Sequence, residues 1–215
     1  MRPFFTSVPA ARWENQSGRL HVYVMPPEPV LQLADDFHAV MEPFGDLVSV
    51  QPRRWLHLTV QMLHQHLDDT GPGQLAAIGS ALRSRLAGLD PFELTAGPAV
   101  VGVHGVTLWI PPPTPEARDG YGELVYRVRE AATDVFGRDV LPAGTAGAQP
   151  RPVPHIGLGY GLAAGDPDPL IRAVKDTWRA PVRFTVDQVV LVAVDQHPAA
   201  GTFTWLPLDK IALTN

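Results

Sequence analysis

The chain has 215 residues, 45% hydrophobic and 18% charged, which is enough apolar material for one compact core and too little charge for a disordered polymer. A formal charge of −5 argues against the broad cationic surface that binds long DNA, and the lack of cysteine excludes disulfides, thiolate metal sites and a cysteine nucleophile. The sequence has neither the apolar run of a secretory signal nor the length of a membrane span, so a cytoplasmic protein without a membrane partner is expected.

In chain order, Leu20 to Met25 alternate Leu20, Val22 and Val24 against His21, Tyr23 and Met25, the period of a strand, which Pro26 and Pro27 end. From Pro29 to Phe44 apolar residues recur three or four apart and Gly45 follows, predicting an amphipathic helix. A second strand is expected over Leu56 to Leu63 and a second helix over Gln74 to Leu89. Phe92 to Thr95, Ala99 to Val103 and Val106 to Ile110 read as short strands. Thr114 and Pro115 then supply a cap and first-turn proline for a helix carrying Tyr121, Leu124, Val128 and Ala132, which Gly137 closes. Residues 139–154, rich in proline, read as an exposed and flexible connector that delivers the chain to a strand at His155 to Tyr160. A short helix from Asp168 to Trp178 and strands at Val182 to Val186, Val189 to Val194 and Thr202 to Leu206 complete the chain.

Two of these strands carry the candidate chemistry. In Leu56-His-Leu-Thr-Val-Gln-Met62 the apolar side chains at 56, 58, 60 and 62 alternate with polar ones at 57, 59 and 61, so His57 and Thr59 share a face. In His155-Ile-Gly-Leu-Gly-Tyr160 the residues Ile156, Leu158 and Tyr160 form the apolar row, and His155 stands beside two glycines. If both strands face one groove, the imidazoles can bracket a phosphate. One takes a proton from the attacking water or hydroxyl and the other donates to the departing oxygen, each role contributing roughly 10²- to 10⁴-fold. Thr59 and the backbone N–H groups beside Gly157 can hold phosphate oxygens, and the scheme needs no metal or other cofactor. Either strand alone is equally well ordinary sheet surface, because threonine alternates readily in strands.

Taken together, the two segments resemble the two-histidine phosphoesterase superfamily, in its 2′-5′ RNA ligase and 2′,3′-cyclic phosphodiesterase branch. That family carries two widely separated histidine-x-threonine/serine-x motifs with x apolar. His57-Leu-Thr-Val60 matches throughout, and His155-Ile-Gly-Leu158 matches except at Gly157. The segment from Phe184 to Val194, followed by a turn and Trp205-Leu-Pro-Leu208, is similar to the family's closing hairpin, whose strands complete the second lobe. The resemblance implies one α+β unit over residues 1–215, bilobal, with two pseudo-symmetric lobes whose antiparallel or mixed sheets line a central cleft and whose helices lie outside. It implies a metal-independent phosphoesterase of small nucleotides or RNA ends, with a role in RNA processing, His57 and His155 as the acid/base pair and Thr59 as a phosphate ligand. His155 is assigned the base and His57 the acid. Gly157 supplies no hydroxyl, a loss of about 1.5 to 3 kcal/mol unless a neighbour such as Tyr160 or a backbone amide replaces the bond.

Tyr23, Trp55 and Tyr160 are the candidate base-stacking residues, with Tyr23 on the polar face and Tyr160 assigned to the core. Arg53, Arg54 and Arg151 precede the histidine strands and could attract phosphate. A nucleotide- or RNA-end-binding protein that has lost turnover, with Gly157 as the trace, is the alternative. A metal hydrolase built on His64, His66, Asp68 and Asp69 is a weaker one, because the full ligand pattern is missing. His21, His38, His104 and His197 read as locally bonded or solvated, and protein partners are not legible.

Overall fold

The computed structural model describes residues 1–111, 119–142 and 153–213. A seven-stranded antiparallel sheet runs through the molecule in the order β4-β5-β6-β2-β1-β8-β9. Its strands are β1 (Arg19–Val24), β2 (Leu58–His66), β4 (Ala99–Val101), β5 (Gly105–Trp109), β6 (His155–Tyr160), β8 (Gln188–His197) and β9 (Thr202–Ala212). The remaining strands, β3 (Phe92–Ala96) and β7 (Val182–Val186), pair antiparallel as a separate ribbon.

One face of the large sheet is covered by helices α2 (Glu28–Met41), α3 (Pro72–Leu86), α4 (Gly120–Phe136) and α5 (Asp168–Asp176). The apolar stripe expected of α2 (Val30, Leu33, Ala34, Phe37 and Met41) is buried, and so are Ile78, Leu82 and Leu86 of α3. They pack on Leu20, Val22, Val24, Leu58, Val60, Ile156, Leu158 and Leu191, the helix-facing row of the strands. At roughly 1.5–3 kcal/mol per fully buried large aliphatic side chain, this layer dominates the stability of the fold. On the opposite face the short helix α1 (Phe4–Ser7) and Trp13 cap one end, bringing Phe4, Phe5 and Trp13 onto Tyr23, Tyr160, Val190, Val192, Val194 and Phe203. Among the described residues no helix covers the rest of that face.

The expected elements form with shifted ends. The helix begun in sequence at Thr114 and Pro115 is described from Gly120, where the Asp119 side chain accepts the Gly122 N–H (2.8 Å); Thr114 and Pro115 lie outside the described residues, as does most of the connector at 139–154. The closing hairpin pairs β8 with β1, Leu20 opposite Ala193 and Tyr23 opposite Val190. It therefore completes the lobe of the first histidine strand, not the second as the resemblance implied. All six residues of β1 are buried, so the strand needs a neighbour on each edge, and the apolar run of β8 satisfies one of them. Among the described residues no helix is long and apolar enough to cross a membrane.

Candidate active site

The two histidine strands meet at the centre of the sheet. β2 and β6 run antiparallel with Leu58 opposite Ile156, a register that sets Gly157 beside His57 and His155 beside Thr59. Leu58 and Ile156 are fully buried toward the helices, so the flanking residues of both strands turn to the open face. His57 and His155 are diagonal neighbours in this lattice, a relation that spaces residues by roughly 7–8 Å. The two imidazoles are thus brought together on one face, as the sequence pattern requires.

Each ring is fixed by the same local bond. Nδ1 of His57 lies 2.8 Å from the Trp55 carbonyl oxygen, and Nδ1 of His155 lies 2.9 Å from that of Val153. A carbonyl only accepts, so Nδ1 carries the proton in both rings, and neither Nε2 is engaged by a described residue. His21 makes the same type of bond to the Arg19 carbonyl (3.1 Å), but its ring is buried among Trp13 and Tyr23, so the bond alone does not make a site.

The two rings differ in environment. His57 is 8% exposed and stacks flat on Tyr23, with ring centroids 4.0 Å apart and an interplanar angle of 9°, whereas His155 is exposed. Burial pushes the His57 pKa down to about 4; the Trp55 carbonyl opposes the shift, and a positive charge on His155 adds to it. His57 is therefore neutral over the physiological range. Its anchor is itself held: Gln51 Nε2 donates to the Trp55 carbonyl (3.1 Å) and to the Phe203 carbonyl (2.7 Å), and Gln51 Oε1 accepts the Phe203 N–H (3.1 Å). Gln51 is fully buried and ties the approach to β2 onto β9. No motif marks it in the sequence.

Thr59 is half-buried beside His155, its carbonyl accepting from the Tyr121 hydroxyl of α4 (2.8 Å). Tyr23 lies on the expected face but is 2% exposed. The His57 ring and its aromatic neighbours cover it, so it supports the histidine from beneath and is no open wall of the groove. Trp109 is a site residue that sequence reasoning missed. It pairs with His155 across β5 and β6, and is 36% exposed on the same face; the alternation of Val106, Leu108 and Ile110, all fully buried, against Thr107 and Trp109 is the signal that could have found it.

Tyr160 departs from its sequence assignment. The alternation of β6 breaks beyond Leu158, where the pairing with β5 shifts between Val106 and Thr107, and Tyr160 turns to the open face among Phe4, Phe5 and Phe203. Position 159 must be glycine for this turn, because a β-carbon there would overlap the Ser49 carbonyl oxygen. A smaller break follows in β2, where Val22 faces Gln61 and Tyr23 faces Thr59, so that Val60 is an extra residue. Gln61 consequently points to the helices and accepts from Arg129 Nε (2.9 Å), instead of joining the polar row of His57.

Of the candidate arginines, Arg53 is committed to Glu28 and Asp35, and Arg54 lies over the Trp55 ring, 5.3 Å from its centroid. Trp55 in turn meets Trp205 edge-on at 5.2 Å, an aromatic wall on the His57 side. Arg151 lies outside the described residues. His64, His66, Asp68 and Asp69 do not converge: His66 Nδ1 is 2.8 Å from the Ser17 carbonyl, and among the described residues no three histidine or carboxylate side chains form a group that could hold a metal ion.

An α+β fold with a large antiparallel sheet, helices on one face and paired histidines on the other defines the class. A family model described as the 2′-5′ RNA ligase superfamily matches residues 26–198. The chain belongs to this superfamily, the two-histidine phosphoesterases that its paired motifs resemble. No curated protein matches it. Among solved structures it is similar to TT0787 of Thermus thermophilus (20% identity, TM-score 0.62), covering 91% of this chain and 97% of that one. It is also similar to E. coli LigT in its apo form (17% identity, TM-score 0.61, 94% of this chain and 100% of LigT) and complexed with 3′-AMP (18% identity, TM-score 0.60, 93% and 99%).

Proposed function

We propose that the protein is a metal-independent phosphoesterase that opens 2′,3′-cyclic phosphates or acts at 2′-5′ phosphodiesters of a small nucleotide or RNA end. The observation that carries this reading is the pair of imidazoles at one seam of the sheet, each with Nδ1–H tied to the carbonyl two residues earlier and Nε2 engaged by no described residue. Two such groups on either side of one phosphate suit in-line displacement: a base for the incoming oxygen and an acid for the outgoing one.

Burial favours His57 as the base, the reverse of the sequence-based assignment. A ring kept neutral by burial holds a lone pair ready, which leaves the exposed His155 as the partner that faces the departing oxygen. In hydrolysis of a cyclic phosphate, His57 Nε2 removes a proton from water as the water oxygen bonds to phosphorus. The bond from phosphorus to one ribose oxygen breaks, and protonated His155 Nε2 delivers its proton to that oxygen. The product is a phosphomonoester, and proton exchange with solvent resets both rings. In this reading Thr59, beside His155 in the register, donates to a non-bridging oxygen. Trp109, paired with His155 and partly exposed, is the aromatic side chain on which a base would stack. Solved structures of LigT with 3′-AMP are consistent with a nucleotide ligand here.

The test is a panel of 2′,3′-cyclic mononucleotides and 2′-5′-linked dinucleotides assayed with and without chelator. Turnover that persists in chelator and collapses in both His57→Ala and His155→Ala supports the reading; wild-type turnover in either variant would refute it. Saturable nucleotide binding without product from any member of the panel would instead establish the catalytically silent alternative that Gly157 raises.

A further inference from the structure

The second motif lacks a hydroxyl at position 157, yet the space in front of that glycine is filled. A β-carbon at 157 would lie 2.8 Å from Tyr160 Oη and 3.2 Å from Cζ, so the phenol head stands where a longer side chain at 157 would project. The register puts Gly157 beside His57 and two residues from His155, as Thr59 is beside His155 and two residues from His57. Oη thus stands in front of position 157, which on the second strand corresponds by register to Thr59 on the first.

The placement is built in. Tyr160 N–H donates to Ser49 Oγ (3.1 Å) and its carbonyl accepts from Ser49 N–H (2.9 Å). Its ring is enclosed by Phe4, Phe203 and Phe5 at 4.7, 5.2 and 5.7 Å. Oη itself makes no hydrogen bond to any of the described residues. A hydroxyl whose ring is held in an apolar collar and which no described residue engages is available to donate to a ligand.

We propose that Tyr160 Oη donates a hydrogen bond to a non-bridging oxygen of the phosphate held between His57 and His155, in place of the hydroxyl that Gly157 cannot supply. The inference rests on the phosphoesterase reading for its ligand and on the Gly157–Tyr160 geometry for its residue. Gly157 is then no lesion. It makes room for the phenol, and a rigid ring with two rotatable bonds replaces a short side chain. Burial raises the Tyr160 pKa, so the hydroxyl keeps its proton and remains a donor at the pH where the histidines work.

The test compares Tyr160→Phe, Gly157→Ser and the double variant, reading turnover of a 2′,3′-cyclic mononucleotide and, separately, the affinity for adenosine 2′-monophosphate by titration. Tyr160→Phe keeps the ring and its collar, so a structural role predicts no change. A phosphate-binding role predicts a loss of roughly ten- to hundred-fold in both readouts, the range expected for one hydrogen bond to a charged oxygen. In the double variant, serine at 157 restores part of that loss, because the 2.8 Å overlap with Oη is gone and the remaining 3.2 Å contact with the ring is relieved by a small shift of the phenyl. Tyr160→Phe within threefold of wild type in both readouts overturns the proposal while leaving the phosphoesterase reading intact if His57→Ala is inactive. If the wild type turns over nothing but Tyr160→Phe still weakens 2′-monophosphate binding tenfold, the catalytic reading falls and the role of Tyr160 stands. A double variant no better than Tyr160→Phe also overturns it.

Discussion

Gln51→Met asks whether one buried amide holds the site to the fold. The wild-type side chain acts as a missing strand beside β9: its carbonyl and amino groups satisfy the N–H and C=O of Phe203 at 3.1 and 2.7 Å, and the same amino group reaches the Trp55 carbonyl at 3.1 Å. Methionine fills nearly the same volume, so no cavity term enters. Two backbone groups of Phe203, a residue only 8% exposed, lose their partners, and each orphaned buried group costs about 1–3 kcal/mol. The Trp55 carbonyl keeps its bond from His57 and costs little. Some of the loss is returned because a thioether is cheaper to desolvate than an amide. The net expectation is a destabilisation of about 2–4 kcal/mol.

Equilibrium urea unfolding, with the midpoint and slope fitted separately, measures this directly. The slope should stay the same, since the surface exposed on unfolding is unchanged, and the midpoint should fall. Turnover assayed where the variant is still folded should fall about tenfold or less, because the bond between His57 and Trp55 persists while its support loosens. An unchanged midpoint would show that Phe203 does not depend on this amide, and the account of how His57 is anchored would fail.

The buried histidines make stability fall with acid. The folded pKa of His57 (about 4) lies below its ordinary 6.5, so the unfolded chain binds more protons between those values; stability is complete above pH 6.5 and declines through that window by about 3 kcal/mol for His57. His21, pushed by burial to about 3, adds to the same trend, and His21→Gln with His57→Gln should flatten stability against pH in urea titrations; an equally steep decline in the double variant would contradict it. The acid limb of kcat/KM should likewise sit well below 6.5 if His57 is the base, and a limb at or above 6.5 would refute that assignment. Trp109→Ala should raise KM for a cyclic mononucleotide roughly tenfold while sparing glycerol 1,2-cyclic phosphate, which has no base to stack; equal effects on both would remove Trp109 from base recognition.

Much of this site is legible in the sequence because strand periodicity is a local property. The faces of His57, Thr59, His155 and Gly157 follow from alternation alone, and the widely spaced motifs identify their strands as partners. Alternation predicts a face only where the ladder is regular. One extra residue in each strand, near Val60 and beyond Leu158, reverses the faces that follow: Gln61 moves to the helices, and Tyr160 leaves the core row for the cleft. Neither irregularity has a local signature strong enough to announce it, since both depend on what packs against the strand. Gly159 admits the Ser49 carbonyl, which comes from a segment more than a hundred residues earlier.

The residues that support the histidines are harder to read than the histidines themselves, for the same physical reason. Gln51, Trp109 and Phe203 act through pairings between strands that are remote in sequence, β9 with the approach to β2 and β5 with β6, and tertiary contact alone gives them a role. Gly157 illustrates the consequence. Viewed along its own strand it is a deficit, a motif short of one hydroxyl. Viewed across the fold it is the clearance for a phenol three residues further on, made possible by a bulge that brings both to one face. A missing side chain in a motif therefore measures lost function only after the volume in front of it has been inspected; here that volume holds Tyr160 Oη, and the chemistry attributed to position 157 can have moved along the chain without leaving the site.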